Sequence, residues 1–302
     1  MTMAQFLKKV LLFTVAFLVF EKVSYFLLAM APSSLYDNRV GLVLEGKVNK
    51  DVIVMGSSRG MRGVIASQIV DSTGLSAYNL CHVGADLAFQ AFMLRTLVKF
   101  NDTPKVVMLV VDDPIQLWDH EMYNFRSDLL VPYTQYHYIT DELIRRDLRH
   151  PIARYVFTAR LSQRNFNLEI DPDDLKDGMW GCGSKPLDAY GREQDYAKYD
   201  FAYDPSKELP WKIVALRKIE RFCERNGIQF ILVYPPNFKV FNQDFVDRLR
   251  FFASPSTLHC VYDHTNPAYD DTRRFFDADH LHISGARIFT NELIAFLRGL
   301  DL

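Results

Sequence analysis

The sequence predicts an α/β protein with a doubly wound, mainly parallel sheet, helices on both faces of the sheet, and an N-terminal membrane helix. Short apolar runs rich in β-branched residues, such as 51–55 and 105–111, alternate with amphipathic segments of helical period. Nearly continuous apolar strands that alternate with helices are typical of a parallel sheet covered on both faces. A long apolar run that ends at Pro32 supplies the membrane helix.

The N-terminal run is long enough to cross a bilayer. Lysines at 8–9 precede an apolar stretch at 10–20, and a charged pair at 21–22 separates it from a second stretch at 23–31. About 22 residues span a hydrocarbon core about 30 Å thick, although charges in the middle of a span are costly. By the positive-inside rule, the lysines predict that the rest of the chain lies outside the cytoplasmic membrane.

Two other interpretations of the run stay open. A cleaved signal peptide needs a small-x-small site soon after its apolar core, and none follows the first stretch closely. An amphipathic helix that lies on a surface is the third interpretation. With the anchor preferred, we predict a membrane anchor at 1–32, a connector at 33–50, and an α/β domain at 51–302 with an insertion at about 118–210.

The domain begins with regular alternation. We predict strands at 51–55, 76–80 and 105–111, with helices at 61–72 and 85–100. After the insertion the alternation resumes, and we predict these further elements: helices at 211–226, 243–252 and 283–300, and strands at 228–234 and 258–262. No internal repeat is visible in the sequence.

The insertion is rich in Tyr, Asp and Arg. Its one predicted helix, 141–157, is broken near Pro151, and 165–207 is mostly polar. Long segments without regular structure are commonly lids or binding segments, so we expect this one to lie over the sheet. The aromatic stretch 133–138 predicts either packing on the sheet or a wall that stacks on sugar rings.

Composition argues against several functions. The formal net charge is −2, so nothing resembles the basic footprint of a nucleic-acid binder. The four cysteines form no C-x-x-C, which indicates neither a zinc site nor a dense disulfide framework, and one bridge in an oxidising compartment stays open. No metal spacing is diagnostic either among the weaker candidates: Asp119, His120, His264 and His282. We therefore predict neither a metal nor a cofactor.

A serine follows the first predicted strand in a glycine-bounded turn. The stretch Gly56-Ser57-Ser58-Arg59-Gly60 holds a hydroxyl at the end of a strand, with backbone N–H groups facing any developing oxyanion. Arg59 beside the serine is a candidate for binding an anionic substrate group, and a surface or structural arginine is the other interpretation. The simpler interpretation of the motif is an ordinary turn.

Two further motifs supply groups that complement a serine. Asp277 precedes His280 by three residues, so the carboxylate could orient one ring nitrogen while the other accepts a serine proton. Asn79 and Gly84 follow the second predicted strand, where a glycine N–H could complete an oxyanion hole. A solvated acidic loop is the simpler interpretation of the first of these motifs.

Together these motifs resemble the SGNH (GDSL-like) hydrolase superfamily. The family's G-D-S block is similar to 56–58, its second block matches Asn79 and Gly84, and its D-x-x-H block matches Asp277 and His280. The resemblance runs from about residue 51 to the end. It looks closest to the membrane-anchored branch that acylates cell-envelope polymers, such as DltD and AlgJ-like proteins.

The resemblance implies an SGNH-type fold and a set of site residues. Ser58 would be the nucleophile, with His280 as base and Asp277 as its orienting acid. Ser58 and Gly84 would donate to the oxyanion, and Arg59 and Asn79 are expected to bind substrate. The family's third block supplies an asparagine donor, but Asp112 stands at that position here, and an ionised carboxylate cannot donate.

An α/β-hydrolase is the alternative fold, since 56–60 also matches G-x-S-x-G. Against it, the serine follows the first strand, and the acid and histidine lie three residues apart.

Two functions follow. The first is ester hydrolysis or O-acyl transfer on an envelope polysaccharide or other acylated glycan, outside the cytoplasmic membrane. The second is a catalytically weak protein that binds a glycan or a membrane acyltransferase. We favour transfer slightly, because the insertion could hold an acceptor against an acyl-enzyme.

Overall fold

The computed structural model describes residues 1–30, 38–162, 165, 179–189, 198 and 202–300. Its centre is a five-stranded parallel sheet in the order β2-β1-β3-β4-β5, which confirms the predicted fold class. The strands are β1 (Val52–Met55), β2 (Ala77–Asn79), β3 (Val106–Val110), β4 (Gln229–Tyr234) and β5 (Leu258–Val261).

The sheet register brings the ends of β1 and β3 together. Val52 of β1 lies opposite Ala77 of β2 on one side and Val106 of β3 on the other. Chain order therefore reverses between β1 and β3. Doubly wound sheets bind their ligands in the crevice outside the carboxyl ends of the strands at such a switch point. Residues that follow β1 and β3 thus meet where a ligand is expected.

Helices cover both faces of the sheet. The described helices are α1 (Met3–Ala29), α2 (Arg39–Leu44), α3 (Ser58–Gly63), α4 (Ala66–Thr73), α5 (Leu87–Phe100), α6 (His137–Arg145), α7 (Pro210–Arg225), α8 (Gln243–Phe252) and α9 (Ile283–Arg298). Alternate strand residues such as Val52 and Val54 join one core with Met61, Ile69 and Phe289 of α3, α4 and α9. The intervening strand residues are equally buried on the opposite face, as the two-residue period of a strand requires.

The predicted helix at 61–72 is two helices, because the chain is extended between them. Val64 has φ −114° and ψ 119°, and Ile65 is also extended. Distant side chains replace the lost helical hydrogen bonds: Thr290 Oγ1 accepts from Ile65 N, and Ser184 Oγ accepts from Ala66 N. Those acceptors lie far along the chain, so no local pattern indicates the break.

Contacts divide the described chain into two units. The helical unit is formed within Met1–Gly41 and Arg126–Lys176, and the sheet unit within Leu42–Phe125 and Asp177–Leu302. The insertion predicted at 118–210 therefore contributes to both. Most of its polar stretch 165–207 lies outside the described residues, as does part of the connector at 33–50.

The helical unit consists of α1, α6 and short 3-10 turns. The predicted helix at 141–157 instead ends at Arg145 in α6 and is followed by a 3-10 turn over Pro151–Arg154. Asp147, with φ 57°, reverses the chain direction before the proline. Tyr133 of the aromatic stretch is only 6% exposed, so this ring packs inside the unit and does not form a stacking wall.

Helix α1 is continuous through Glu21 and Lys22. It is long and apolar enough to cross a membrane, with a mean hydropathy of 1.9 over its most apolar window. A signal sequence near an N-terminus has the same properties.

Candidate functional site

Ser58 stands at the start of α3, immediately after β1. Gly56 has φ +147°, and a Cβ there would meet Val110 O at 2.7 Å, so the chain turns against β3 through a residue without a side chain. Ser57 caps α3 and is 1% exposed, whereas Ser58 is 9% exposed. Of the two neighbouring serines, Ser58 is therefore the more accessible.

His280 joins Ser58 to Asp277. His280 Nε2 lies 2.9 Å from Ser58 Oγ, and Nδ1 lies 2.9 Å from both oxygens of Asp277. Asp277 Oδ1 also accepts from the backbone N–H groups of Asp279 and His280, each at 2.8 Å. The three side chains that the motifs selected thus lie in one hydrogen-bonded path across 222 residues of sequence.

The Asp277 carboxylate is held in its charged form. Burial acts to raise its pKa, but hydrogen bonds from His280 and from the two backbone N–H groups outweigh burial and lower the pKa below its ordinary value. A charged Asp277 fixes the proton of His280 on Nδ1, and Nε2 is then free to accept from Ser58. The neighbouring Asp279 pairs with Lys239 instead.

Gly84 lies at the same edge of the sheet, and its conformation requires glycine. Its φ is +62°, and a Cβ would come within 2.4 Å of Met122 O. Its carbonyl accepts from Asn124 N at 3.0 Å, which holds the turn against the 122–124 segment. Among the described residues, the backbone N–H groups of Ser58 and Gly84 have no hydrogen-bond acceptor.

Asp112 follows β3 and its carboxyl group is buried, while its backbone N–H and C=O pair with Gln116. Its residue is 1% exposed, and within the described chain neither carboxyl oxygen meets a donor with hydrogen-bond geometry. The hydroxyls of Ser57 and Tyr123 face it, and Arg59 Nε is 3.8 Å from Oδ1. Burial raises the Asp112 pKa, and the attraction of Arg59 only partly offsets that effect.

Arg59 is buried and ion-paired, which agrees with a structural role, one of the two roles that the sequence leaves open. It is 5% exposed, and its Nη1 and Nη2 donate to Asp113 Oδ1 at 2.9 Å and Pro235 O at 2.8 Å. Burial would lower the Arg59 pKa, but Asp113 and Asp112 raise it above its ordinary value. The side chain therefore ties α3 to the ends of β3 and β4.

Asn79 lies at the end of β2, and its side chain contacts the protein backbone. It is fully buried, its Nδ2 donates to Gly60 O and Val64 O at 2.9 Å, and its Oδ1 accepts from Cys81 N at 3.1 Å. Its hydrogen-bonding groups are therefore engaged within the protein, where they hold the end of α3.

Sequence reasoning missed three residues that support the site. Gln90 Nε2 donates to Gly56 O at 2.6 Å, Tyr123 Oη donates to Ser57 Oγ at 3.2 Å, and Asn237 Nδ2 donates to Asp113 Oδ1 at 2.8 Å. Each contact spans more than thirty residues of sequence. No local motif marks these side chains, and only the folded sheet brings them to the turn.

The weaker metal candidates do not form a cluster. His282 caps α9 through its contacts with Ser284, and His264 stacks on Phe241 at 4.3 Å. No group of three or more metal-ligating side chains occurs among the described residues. The four cysteines, all within the described residues, are free, so the single disulfide left open by the sequence does not form.

Comparisons with known proteins are sparse. No family model and no curated protein matches the chain. A solved structure from Streptococcus pneumonia, provisionally named a platelet activating factor, is 11% identical with a TM-score of 0.45, and the match covers 96% of this chain and 98% of that one. A similarity of this size carries neither activity nor substrate to this protein.

Proposed function

We propose that this protein is an SGNH-like serine esterase or O-acyltransferase with Ser58 as nucleophile. The observation that carries the proposal is the path from Asp277 through His280 to Ser58, with both links at 2.9 Å. A nucleophile that donates to a base, which is itself oriented by a carboxylate, is the arrangement that acyl transfer to serine requires.

In the proposed reaction, His280 Nε2 takes the proton of Ser58 as Oγ bonds to the acyl carbonyl carbon. The imidazolium then gives that proton to the leaving oxygen, whose bond to the acyl carbon breaks to leave an acyl-enzyme. Water or a sugar hydroxyl attacks the acyl-enzyme, with His280 again as base, and Ser58 recovers its proton. Asp277 stabilises the imidazolium in both halves of the reaction.

The developing oxyanion needs donors, and we assign three. Two are the N–H groups of Ser58 and Gly84, which have no acceptor among the described residues. The third is Asp112 as a neutral acid. The burial of its carboxyl group and its raised pKa support the protonated form. A neutral carboxyl donates a hydrogen bond, as in sites that keep a buried acid protonated, whereas a carboxylate would repel the oxyanion.

The proposed substrate is an acylated glycan of the cell envelope, reached from the outer side of the cytoplasmic membrane. Helix α1 supports membrane attachment, and the long segment between β3 and β4 supports transfer over hydrolysis. A transferase must hold its acceptor against the acyl-enzyme while excluding water. A membrane acyltransferase is the proposed source of the acyl group.

A fluorophosphonate probe tests the nucleophile. Full-length protein in detergent should be labelled, and Ser58→Ala and His280→Ala should each lose labelling while keeping the wild-type thermal unfolding midpoint to within a few degrees. Ser57→Ala is the matched control, since it removes the adjacent hydroxyl, and it should keep most of the labelling. If Ser57→Ala loses labelling and Ser58→Ala keeps it, the nucleophile is Ser57 and the proposed assignment is wrong.

The second candidate function is binding without catalysis. The observation that favours it is Asp112, because an ionised group at that position would oppose the oxyanion. Folded wild-type protein that is never labelled by the probe would favour binding. For a labelled protein, product analysis with an activated acetyl ester separates the two reactions: acetylated oligosaccharide indicates transfer, and acetate alone indicates an esterase.

A further inference from the structure

Helix α1 has two differently packed parts. Every residue from 1 to 20 is exposed. Beyond them, Ser24 and Leu28 are 3% and 0% exposed and Glu21 is half-buried, at the spacing of one helix face. Only this second part therefore packs against the rest of the helical unit.

The contacts of the second part lead to the turn at 157–158. Glu21 accepts from Phe157 N at 2.7 Å, from Thr158 N at 3.0 Å and from Thr158 Oγ1 at 2.6 Å. Ser24 Oγ lies 2.9 Å from Thr158 Oγ1, and Tyr25 packs edge-on against Phe157 at 5.3 Å. These contacts satisfy the carboxylate that would otherwise be costly within an apolar helix.

The depth of Glu21 follows from helix geometry. If Lys9 marks the inner surface of the bilayer, Glu21 lies about 18 Å further along a helix that rises 1.5 Å per residue. The hydrocarbon core is about 30 Å thick, and extension of the lysine side chains toward the surface moves the helix outward by several ångströms. Glu21 and its partners at 157–158 therefore lie within the outer leaflet or at its surface.

The chain just before that turn is exposed and apolar. Leu148, Ile152 and Tyr155 are 49%, 50% and 79% exposed. Tyr155 is two residues from Phe157, so their Cα atoms are at most about 7.6 Å apart. Arginines at 145, 146, 149 and 154 lie close to these side chains in sequence, and three of them are ion-paired: Arg145 and Arg146 with Glu142, and Arg154 with Asp141. Exposed apolar and aromatic side chains with arginines close by in sequence match the interfacial layer of a membrane.

We propose that the segment 148–155 inserts into the outer-leaflet interface beside α1, as a second membrane contact of the chain. The inference rests on the proposed transmembrane anchor. The occupant of this surface is lipid, because the hydrogen bonds from 157–158 to Glu21 hold the adjoining segment at the depth of the outer leaflet. The segment would keep the outer end of the anchor from tilting freely.

Fluorescence quenching tests the inference on full-length protein in vesicles of phosphatidylethanolamine and phosphatidylglycerol. An environment-sensitive label is placed by Ile152→Cys or Tyr155→Cys in a Cys182→Ser background, since the other cysteines are buried. Phe13→Cys, on α1 and 72% exposed, reports the anchor, and Phe251→Cys, 74% exposed on α8, is the matched apolar reference. Urea-unfolded protein gives the limit of iodide quenching.

Labels at 152 and 155 should be quenched by lipids spin-labelled near the headgroup, and iodide quenching should fall at least threefold below the unfolded limit. If the labels at 152 and 155 are fully quenched by iodide and not by lipid, while the label at position 13 is quenched by lipid, the inference is refuted and the anchor is retained. An unquenched Phe13 would refute the anchor itself. Protection from both quenchers would mean that protein covers the surface, which also overturns the inference. Fluorophosphonate labelling of the same samples reports the proposed enzyme separately.

Discussion

Two aspartates in one loop differ in what they contact. Asp277 accepts from His280 Nδ1 and from two backbone N–H groups, whereas Asp279 pairs with Lys239. We expect Asp277→Asn to lower turnover by about 10⁴-fold, because an amide there favours the wrong tautomer of His280. Asp279→Asn, the matched control, should cost only a few-fold, since the Asp279 side chain pairs with Lys239 and does not orient His280. Steady-state hydrolysis of an activated ester measures both, and equal losses would contradict the assigned orientation.

Asp112 should make stability and activity depend on pH. Its pKa is raised in the folded protein, so its contribution to folding is fully present below the ordinary aspartate pKa and is lost as pH rises through the raised value. Charged or titratable neighbours that act on it are Arg59, Tyr123, Lys212 and His280. Asp112→Asn should remove this decrease in the free energy of unfolding, and urea titrations at a series of pH values measure it.

The same substitution tests whether the side chain at position 112 acts as a hydrogen-bond donor in the reaction. An asparagine amide donates at every pH, so Asp112→Asn should keep or raise turnover and extend activity to higher pH, whereas Asp112→Ala should lower turnover by about 10²-fold or more. The pH profile of kcat/KM is the measurement. A large loss in the asparagine variant would show that the carboxylate form is needed.

At the scale of elements, two glycines with left-handed backbone conformations differ in how closely their surroundings approach. Gly84 and Gly74 both have φ between +60° and +80°, but a Cβ at Gly84 would meet Met122 O at 2.4 Å, whereas at Gly74 it would meet nothing within 4 Å. Gly74→Ala should therefore cost about 1–2 kcal/mol of conformational strain. Gly84→Ala should cost more and also lower turnover, because it moves the proposed oxyanion donor. Thermal unfolding and ester hydrolysis of the two variants give the comparison.

At the scale of the whole molecule, membrane attachment is the property to test. We expect full-length protein in the membrane fraction, resistant to extraction by high salt and released by detergent, because an apolar helix of spanning length is held by burial in lipid. External protease on spheroplasts should degrade the C-terminal part of the chain. Its protection would reverse the proposed orientation, and recovery from the soluble cytosolic fraction would rule out the anchor.

The sequence by itself determined the sheet and the residues that could carry chemistry. Strands such as 105–111 are nearly continuous in apolar β-formers, so the local sequence is enough to predict their length and burial. Ser58, Asp277 and His280 were selected because each stands in a short motif whose spacing reflects its neighbours in the chain. Periodicity and turn chemistry are local properties, and a single sequence displays them directly.

Only the tertiary structure decided which polar groups lie in the site and which make buried hydrogen bonds that support it. Arg59 and Asn79 lie in the right motifs, yet contacts with Asp113, Pro235 and the end of α3 bury both. The division of the predicted helix at 61–72 and the pairing of Glu21 with 157–158 likewise depend on groups far away in sequence. Hydrogen bonds that satisfy buried groups are made across the fold, so only the folded chain reveals these partners.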